Sequence, residues 1–173
     1  AEIIETSLHF TESSQASYSL SLINSIRDIL GMKFRFDECL HLVVMRIANV
    51  LNAETCNIYE LDPEMRVFTA KTTSSYAVTM AHGDNHRLND FFADNLLQTG
   101  KRFTHIITDD QQNEIGAYLA EPVIVDNQIW GTIFVHLKSC AAVDEVGDLL
   151  EKIGKVLASQ IETNRQIQAV KFQ

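Results

Sequence analysis

The chain has 173 residues, of which 46% are hydrophobic and 21% are charged. This length suits one domain of ordinary size, and the apolar content is enough to bury a core, which excludes global disorder. The 14 basic and 23 acidic residues give a formal net charge of −9. A surface of this sign repels nucleic-acid phosphates and anionic lipid headgroups, so we expect neither nucleic acid nor a membrane surface as a partner.

The cysteines and the N-terminal sequence indicate where the protein resides. Cys39, Cys56 and Cys140 are an odd number of cysteines without CxxC spacing, which indicates free thiols in a reducing compartment. The first residues lack the basic start and apolar stretch of a secretory signal, and no apolar run approaches the roughly 20 residues of a spanning helix. We therefore expect a cytoplasmic protein, and the missing initiator Met indicates a chain processed or excised from a longer one.

The first half of the chain is predicted to form two helices followed by a β-hairpin. Ser13 can cap the first helix and Gly31 ends it, and Asp37 is a suitable N-cap for the second helix. Apolar residues recur at helical spacing in both helices, whereas the segment after Asn52 is rich in residues that favour strands. In chain order these elements are an extended or disordered lead-in over 1–12, helices over 13–30 and 37–51, and strands over 54–61 and 67–73.

The second half is predicted to contain a short helix, three strands and a long final helix. Gly100 lies just past the end of the short helix, and Asp126-Asn127 has the composition of a two-residue hairpin turn. A further short strand over 76–80 precedes a polar loop. In chain order the other elements are a helix over 89–98, strands over 102–107, 115–125 and 128–138, and a helix from about Asp144 to beyond Gln168.

These elements predict a single α+β domain over residues 13–173. Strands that follow one another through tight turns form an antiparallel sheet, here of about five or six strands. The last strand is apolar at nearly every position, which is typical of a central strand covered on both faces. We therefore expect a central sheet with helices on one face and loops plus a short helix on the other.

Three passages of the sequence resemble the GAF domain family, a group of ligand-sensing and dimerising modules related in shape to PAS domains. They are residues 39–62, an apolar helix followed by LNAETCNIYELD from Leu51, then LQTGKR at 97–102 and LAEPVIVDNQIWGTIFV at 119–135. The resemblance covers roughly residues 35–165. It implies a sensory or regulatory domain without catalysis of its own, attached to an output module beyond Gln173. The residue sets of the cyclic-nucleotide and phytochrome branches are missing, so the resemblance implies no particular cofactor.

The resemblance also implies a ligand pocket between the sheet and the short helix with its neighbouring loops. Strand alternation places Asn57 and Tyr59 on one face, and a polar residue beside aromatic walls suits a small polar ligand. Glu121 lies in an otherwise apolar strand, so its carboxylate needs a partner such as Lys101 or Arg102, or a ligand amine. The complete set of pocket candidates is Asn57, Tyr59, Phe91, Phe92, Tyr118, Glu121, Thr132 and Phe134.

The final helix predicts a homodimer. From Val146 its apolar residues recur mostly at spacings of three and four, as in a coiled-coil seam that polar Gln160 and Asn164 interrupt. We expect its first half to pack on the sheet of its own chain and its second half to run past that sheet. A parallel dimer that includes the first helix would cover the remainder. The predicted interface is Leu22, Ile26, Ile29, Leu157, Ile161, Asn164 and Ile167.

Three functions remain open from the sequence. The first is a sensory domain that binds a small molecule, dimerises and relays its state to an output module. The second is a dimerisation module without a ligand, whose pocket is filled by Phe91, Phe92, Tyr118 and Trp130. The third is a thiol-dependent enzyme of the same family, such as a methionine sulfoxide reductase, which requires a cysteine of low pKa. The segment HGDNH at 82–86 is interpreted as a polar loop rather than a metal site.

Overall fold

A computed structural model describes residues 19–75 and 87–171 of the chain. Within these ranges the elements, in chain order, are α1 (19–30), α2 (Phe36–Leu51), β1 (Thr55–Asp62), β2 (Val67–Thr73), α3 (Asp90–Thr99), β3 (Phe103–Thr108), β4 (Glu114–Val125), β5 (Gln128–Leu137) and α4 (Val143–Lys171). Four of the sequence predictions lie outside the described residues. They are the lead-in over 1–12, the Ser13 cap, the strand over 76–80 and the loop over 82–86.

The sheet is antiparallel throughout and has the strand order β2-β1-β5-β4-β3. Its five strands in the described residues agree with the predicted α+β class. β5 lies in the middle, and its residues from Trp130 to Val135 are all buried, as the apolar sequence predicts for a strand covered on both faces. Asp126 and Asn127 join β4 to β5 with φ values of 52° and 62°, the left-handed pair that a two-residue hairpin requires.

The start of α2 differs from the prediction. Its N-cap is Arg35, which makes no side-chain capping bond, and Asp37 lies instead in the first turn of the helix. There the negative charge of Asp37 complements the helix dipole, and its carboxylate pairs with the Lys71 ammonium of β2 at 3.4 Å. Asp37 therefore stabilises the junction between α2 and the hairpin rather than capping the helix.

The sheet separates two hydrophobic cores. The first core lies between the sheet and helices α1, α2 and α4, and the second lies between the sheet and α3. Alternation along β4 sends Leu119 to the first core and Ala120 to the second. The layers are therefore three helices on one face and the short helix on the other, as predicted. None of the described helices is both long and apolar enough to cross a lipid bilayer.

A β-bulge in β5 changes which side chains face each core. Val123 pairs with Gly131 and Ile124 pairs with Ile129, so Trp130 is the extra residue. The bulge lets Trp130 enter the first core while its neighbour Ile129 packs against the second. A Cβ on Gly131 would overlap the carbonyl oxygen of Tyr59 on β1. This position therefore requires glycine because two central strands approach each other closely there.

Candidate functional site

The face of the sheet beneath α3 carries a cluster of rings, called here the aromatic face. Its members are Tyr59, Phe91, Phe92, Phe103, His105, Tyr118, Phe134 and His136. The strand members meet because residues opposite one another on antiparallel strands point to the same face. Tyr118 of β4 is opposite both His105 of β3 and His136 of β5. The register thus brings four strands and α3 together around one set of rings.

Phe92 lies at the centre of the aromatic face. Its ring packs edge-to-face on Phe134, Tyr118 and Phe103, with centroid separations of 5.1, 5.5 and 5.7 Å. Only 8% of Phe92 is exposed, whereas 51% of Phe91 is exposed. Phe92 therefore fills the second core, and Phe91 covers its outer rim beside Phe103.

Helix α3 holds Phe92 in place through well-formed ends. The Asn89 side chain accepts a hydrogen bond from the Phe91 amide at 2.9 Å, which caps the N-terminus. Gly100 adopts a left-handed conformation with φ of 65°, and its amide donates to the Leu96 carbonyl at 2.8 Å. The Gly100 end agrees with the sequence prediction, whereas Asn89, predicted as the first residue of the helix, is its N-cap.

Asn57 and Tyr59, two residues apart on β1, place an amide and a phenol on the same face of the sheet. Asn57 Nδ2 donates to Tyr59 Oη at 3.3 Å. Asn57 Oδ1 is buried and has no hydrogen-bond partner among the described residues. An unpaired buried amide oxygen costs about 1–3 kcal/mol, so this atom favours a donor from a ligand or from water. Burial raises the pKa of Tyr59, which keeps the phenol neutral, and the Asn57 hydrogen bond opposes that effect.

Thr132 lies directly opposite Tyr59 in the β1–β5 register but offers little to a ligand. Its side chain is fully buried, and its hydroxyl donates to the Glu121 carbonyl oxygen at 2.9 Å. This hydrogen bond links β5 to β4, so the hydroxyl proton of Thr132 is not available to a ligand.

Glu121 lies on the opposite face of the sheet, which corrects its assignment to the same pocket as Tyr59. Its Cγ points towards Gly154 of α4, and its Oε2 lies 3.5 Å from Nη1 of Arg102. The predicted pairing with Arg102 is therefore confirmed. Arg102 also pairs through Nη2 with Asp148 of α4 at 3.6 Å. Burial raises the pKa of Glu121 to about 7, although the Arg102 charge opposes the shift.

The environments of Cys39 and Cys56 disfavour thiolate chemistry. Cys39 and Cys56 are buried, and burial raises the pKa of both thiols; the nearby Glu38 carboxylate adds to the effect on Cys39. Cys140 Sγ donates to the Gly116 carbonyl oxygen at 2.9 Å. A reactive thiol requires a lowered pKa and access to solvent, and buried Cys39 and Cys56 have neither.

Most of the predicted dimer interface is core. Leu22, Ile26, Ile29, Leu157 and Ile161 are each at most 6% exposed inside a single chain. They are corrected from interface to core positions, because α1 and the first half of α4 pack on the sheet. Ile167 is 51% exposed, and half-buried Asn164 accepts a hydrogen bond from Gln160 at 3.0 Å. Of the predicted interface residues, Asn164 and Ile167 are the two that remain accessible to a second chain.

Three members of the aromatic face were not identified from the sequence. Phe103 and His105, two residues apart on β3, both face the rings of α3. The ring centroids of His136 and Tyr118 are 4.5 Å apart. Burial lowers the pKa of His136, which favours the neutral imidazole, while the charge of Glu54 opposes this shift. Alternation along each predicted strand shows which of its residues share a face. Only the order of the strands in the sheet shows that these faces meet beneath α3. Among the described residues no group of His, Cys, Asp and Glu could hold a metal ion.

The comparisons with known proteins agree with this architecture. The GAF domain model matches residues 35–163. The GAF domain of A. aeolicus nlh2, in an inactive state, superposes with a TM-score of 0.72 and 14% identity, over 87% of this chain and 99% of that one. The GAF domain of a phosphoenolpyruvate-protein phosphotransferase from Coxiella burnetii gives 0.70 and 16%, over 89% and 98%.

A third similar structure is free methionine-R-sulfoxide reductase from Neisseria meningitidis, in complex with its substrate. It has a TM-score of 0.70 and 13% identity, over 89% of this chain and 93% of that one. Likeness at these identities shows the fold alone. No curated protein matches the sequence significantly. Because the family model matches more than half of the chain and the fold agrees with it, this protein belongs to the GAF domain family.

Proposed function

We propose that this chain is a sensory GAF domain that binds a small organic molecule at the aromatic face. The buried Asn57 Oδ1, which has no hydrogen-bond partner among the described residues, is the observation that carries the proposal. A ligand with a hydrogen-bond donor would pair with that oxygen, and the rings of Tyr59 and Phe134 would contact its apolar part.

The signal would leave the domain through its end helices. α4 packs on the sheet as far as Ile161, which is 4% exposed, and Val170 near its end is 71% exposed. A ligand that favours one arrangement of the sheet would shift the population of α4 positions and so change the geometry of an attached module. The exposed end of α4 would pair with a second copy of the chain and transmit that change.

The ligand-free alternative rests on one specific observation. Phe92 packs on Phe134 at 5.1 Å and on Tyr118 at 5.5 Å, so apolar side chains already fill the centre of the aromatic face. If this packing extends over Asn57, the domain serves only to dimerise. The two functions differ in what Asn57 contributes to binding and to stability.

Native mass spectrometry of the purified wild type and of Asn57→Leu tests the proposal. We expect excess mass on the wild type, loss of that mass from Asn57→Leu, and its retention in Asn49→Leu, a matched control at an exposed position of α2. Bare polypeptide mass for the wild type, together with higher stability of Asn57→Leu, would favour the ligand-free alternative. In that case the substitution only removes an unpaired buried group.

A further inference from the structure

A cleft lies on the face of the sheet opposite the aromatic face, between β4, the segment before β3, and α4. Its volume is about 490 Å³, within the range of small-molecule sites. Gly100 and Lys101 form one wall, Pro122 and Ile124 an apolar wall, and Glu151, Gly154 and Lys155 the α4 wall. Glu121 and Arg102 complete the lining. The rings of the aromatic face take no part in it.

Glu121 is the unusual group in this cleft. It is only 6% exposed, and its Oε2 accepts no hydrogen bond from any described residue, although Arg102 Nη1 lies 3.5 Å away. The guanidinium is shared, because its Nη2 pairs with Asp148 at 3.6 Å. A buried carboxylate oxygen without a hydrogen bond is costly and favours an incoming donor.

The cleft also carries the more exposed charges of Lys101, Lys155 and Glu151. Lys101 makes no ion pair with any described residue. Lys155 pairs only loosely with Glu151 at 3.6 Å, and both side chains are more than half exposed, so the pair is readily exchanged. One end of the cleft can therefore accept an ammonium group at Glu121, while the lysines can accept a carboxylate.

We propose that this cleft binds a free α-amino acid with an apolar side chain. The ligand ammonium donates to Glu121 Oε2, its carboxylate pairs with Lys101 and Lys155, and its side chain packs on Pro122 and Ile124. A zwitterion matches a lining of both signs and carries no net charge into the cleft. The ligand would contact both the sheet and α4, so its binding would favour one position of α4 relative to the sheet.

The two glycines of this region show where the cleft has room. A Cβ at Gly154 would lie 3.7 Å from the Pro122 carbonyl oxygen and 3.9 Å from Glu121 Cγ, which is ordinary contact. Gly154→Ala thus adds one methyl to the cleft lining without forcing a neighbour to move. It also raises helix propensity by ~1 kcal/mol, so the variant should fold. Gly100 has open space around its Cβ position, but its φ of 65° makes it a poor site for substitution.

Isothermal titration with L-leucine tests the proposal, with isoamylamine and 4-methylvalerate as probes that lack one charge each. We expect leucine to bind more tightly than either single-charge probe. Glu121→Gln, which keeps the shape and removes the charge, should weaken leucine binding at least tenfold. Gly154→Ala should weaken it severalfold without lowering the unfolding temperature. Glu114→Gln, at an exposed position of the same strand, should bind as the wild type does.

Three results would overturn the proposal. One is absence of leucine binding to the wild type at millimolar concentration. Another is equal binding of the amine or the acid alone, which would contradict the zwitterion. The third is unchanged leucine affinity in both Glu121→Gln and Gly154→Ala, which would place the ligand elsewhere. The result for Asn57→Leu does not bear on this cleft, because Asn57 lies on the other face of the sheet.

Discussion

In the ligand-free chain the carboxyl group of Glu121 lies in surroundings that favour its protonated form, whereas a bound ammonium group would favour the carboxylate. Burial is the largest effect and raises its pKa to about 7, and the carboxylate of Glu151 acts in the same direction. The positive charges of Arg102 and Lys155 oppose the shift. Arg102 also forms an ion pair with Asp148. The folded chain therefore holds a proton on Glu121 at pH values where an unfolded chain, with a pKa near 4.5, has lost it.

This difference predicts that stability falls as pH rises. The stabilisation from protonated Glu121 is complete below about pH 4.5 and is lost as pH rises through about 7, by at most about 1.4 kcal/mol for each pH unit. Urea unfolding at several pH values in this window measures the slope. Glu121→Gln should flatten the slope, and Glu114→Gln should keep it. A wild-type slope that persists in Glu121→Gln would assign the effect to another group.

Among the elements, β5 depends most on one small residue. Gly131 lies against β1 where a Cβ would overlap the Tyr59 carbonyl oxygen, and this contact joins two backbones rather than a flexible side chain. The same region holds the bulge that sends Trp130 to the first core. Close strand approach and bulge together fix which residues of β5 face α3.

Gly131→Ala should therefore be strongly destabilising. The added methyl forces β1 and β5 apart at the centre of the sheet, and we expect a loss of about 3 kcal/mol in the free energy of unfolding. Chemical denaturation followed by circular dichroism measures it. Gly154→Ala is the matched control, because its methyl meets only ordinary contacts. Equal stability of the two variants would contradict the close approach.

The elements were largely predictable from sequence, whereas the site was only partly so. Turn and cap residues are local signals, so the Asp126-Asn127 hairpin and the Gly100 helix end agree with prediction. The face on which Glu121 lies depends on strand order and on packing against α4, which no local pattern encodes. Similarly, an apolar heptad pattern cannot distinguish a core helix from a dimer seam, which is why Ile26 and Leu157 were assigned to the wrong surface.

At the scale of the whole molecule, α4 extends beyond the sheet that supports it. From Glu162 to Lys171 every residue except half-buried Asn164 is exposed, including the apolar side chains of Ile167 and Val170. The proposed homodimer would bury these two side chains against a second copy. Among the described residues, the hydrophobic core that covers α4 ends at Ile161, so no apolar side chain of the same chain covers Ile167 and Val170.

Replacing Ile167 and Val170 together by Glu should weaken this dimer. Four like charges near the seam oppose association, so we expect the dimer dissociation constant to rise at least tenfold, about 1.4 kcal/mol. Sedimentation equilibrium of both proteins measures the change. Met65→Glu, at a 73% exposed position in the β1–β2 turn, should leave association unchanged. A wild-type monomer, or an unaltered dimer in the double variant, would contradict the proposed pairing.

The central place of β5 also sets the order in which the molecule can assemble. β1 must pair with β5, whose residues lie about 80 positions later, as in the pairing of Thr55 with His136. During synthesis the β1–β2 hairpin therefore leaves the ribosome before β5 exists. The edge of β1 that pairs with β5 stays unpaired until β5 has been made. Translation has to reach the end of β5 before either core can close, so slow elongation through residues 62–137 would lengthen the period in which that edge can aggregate.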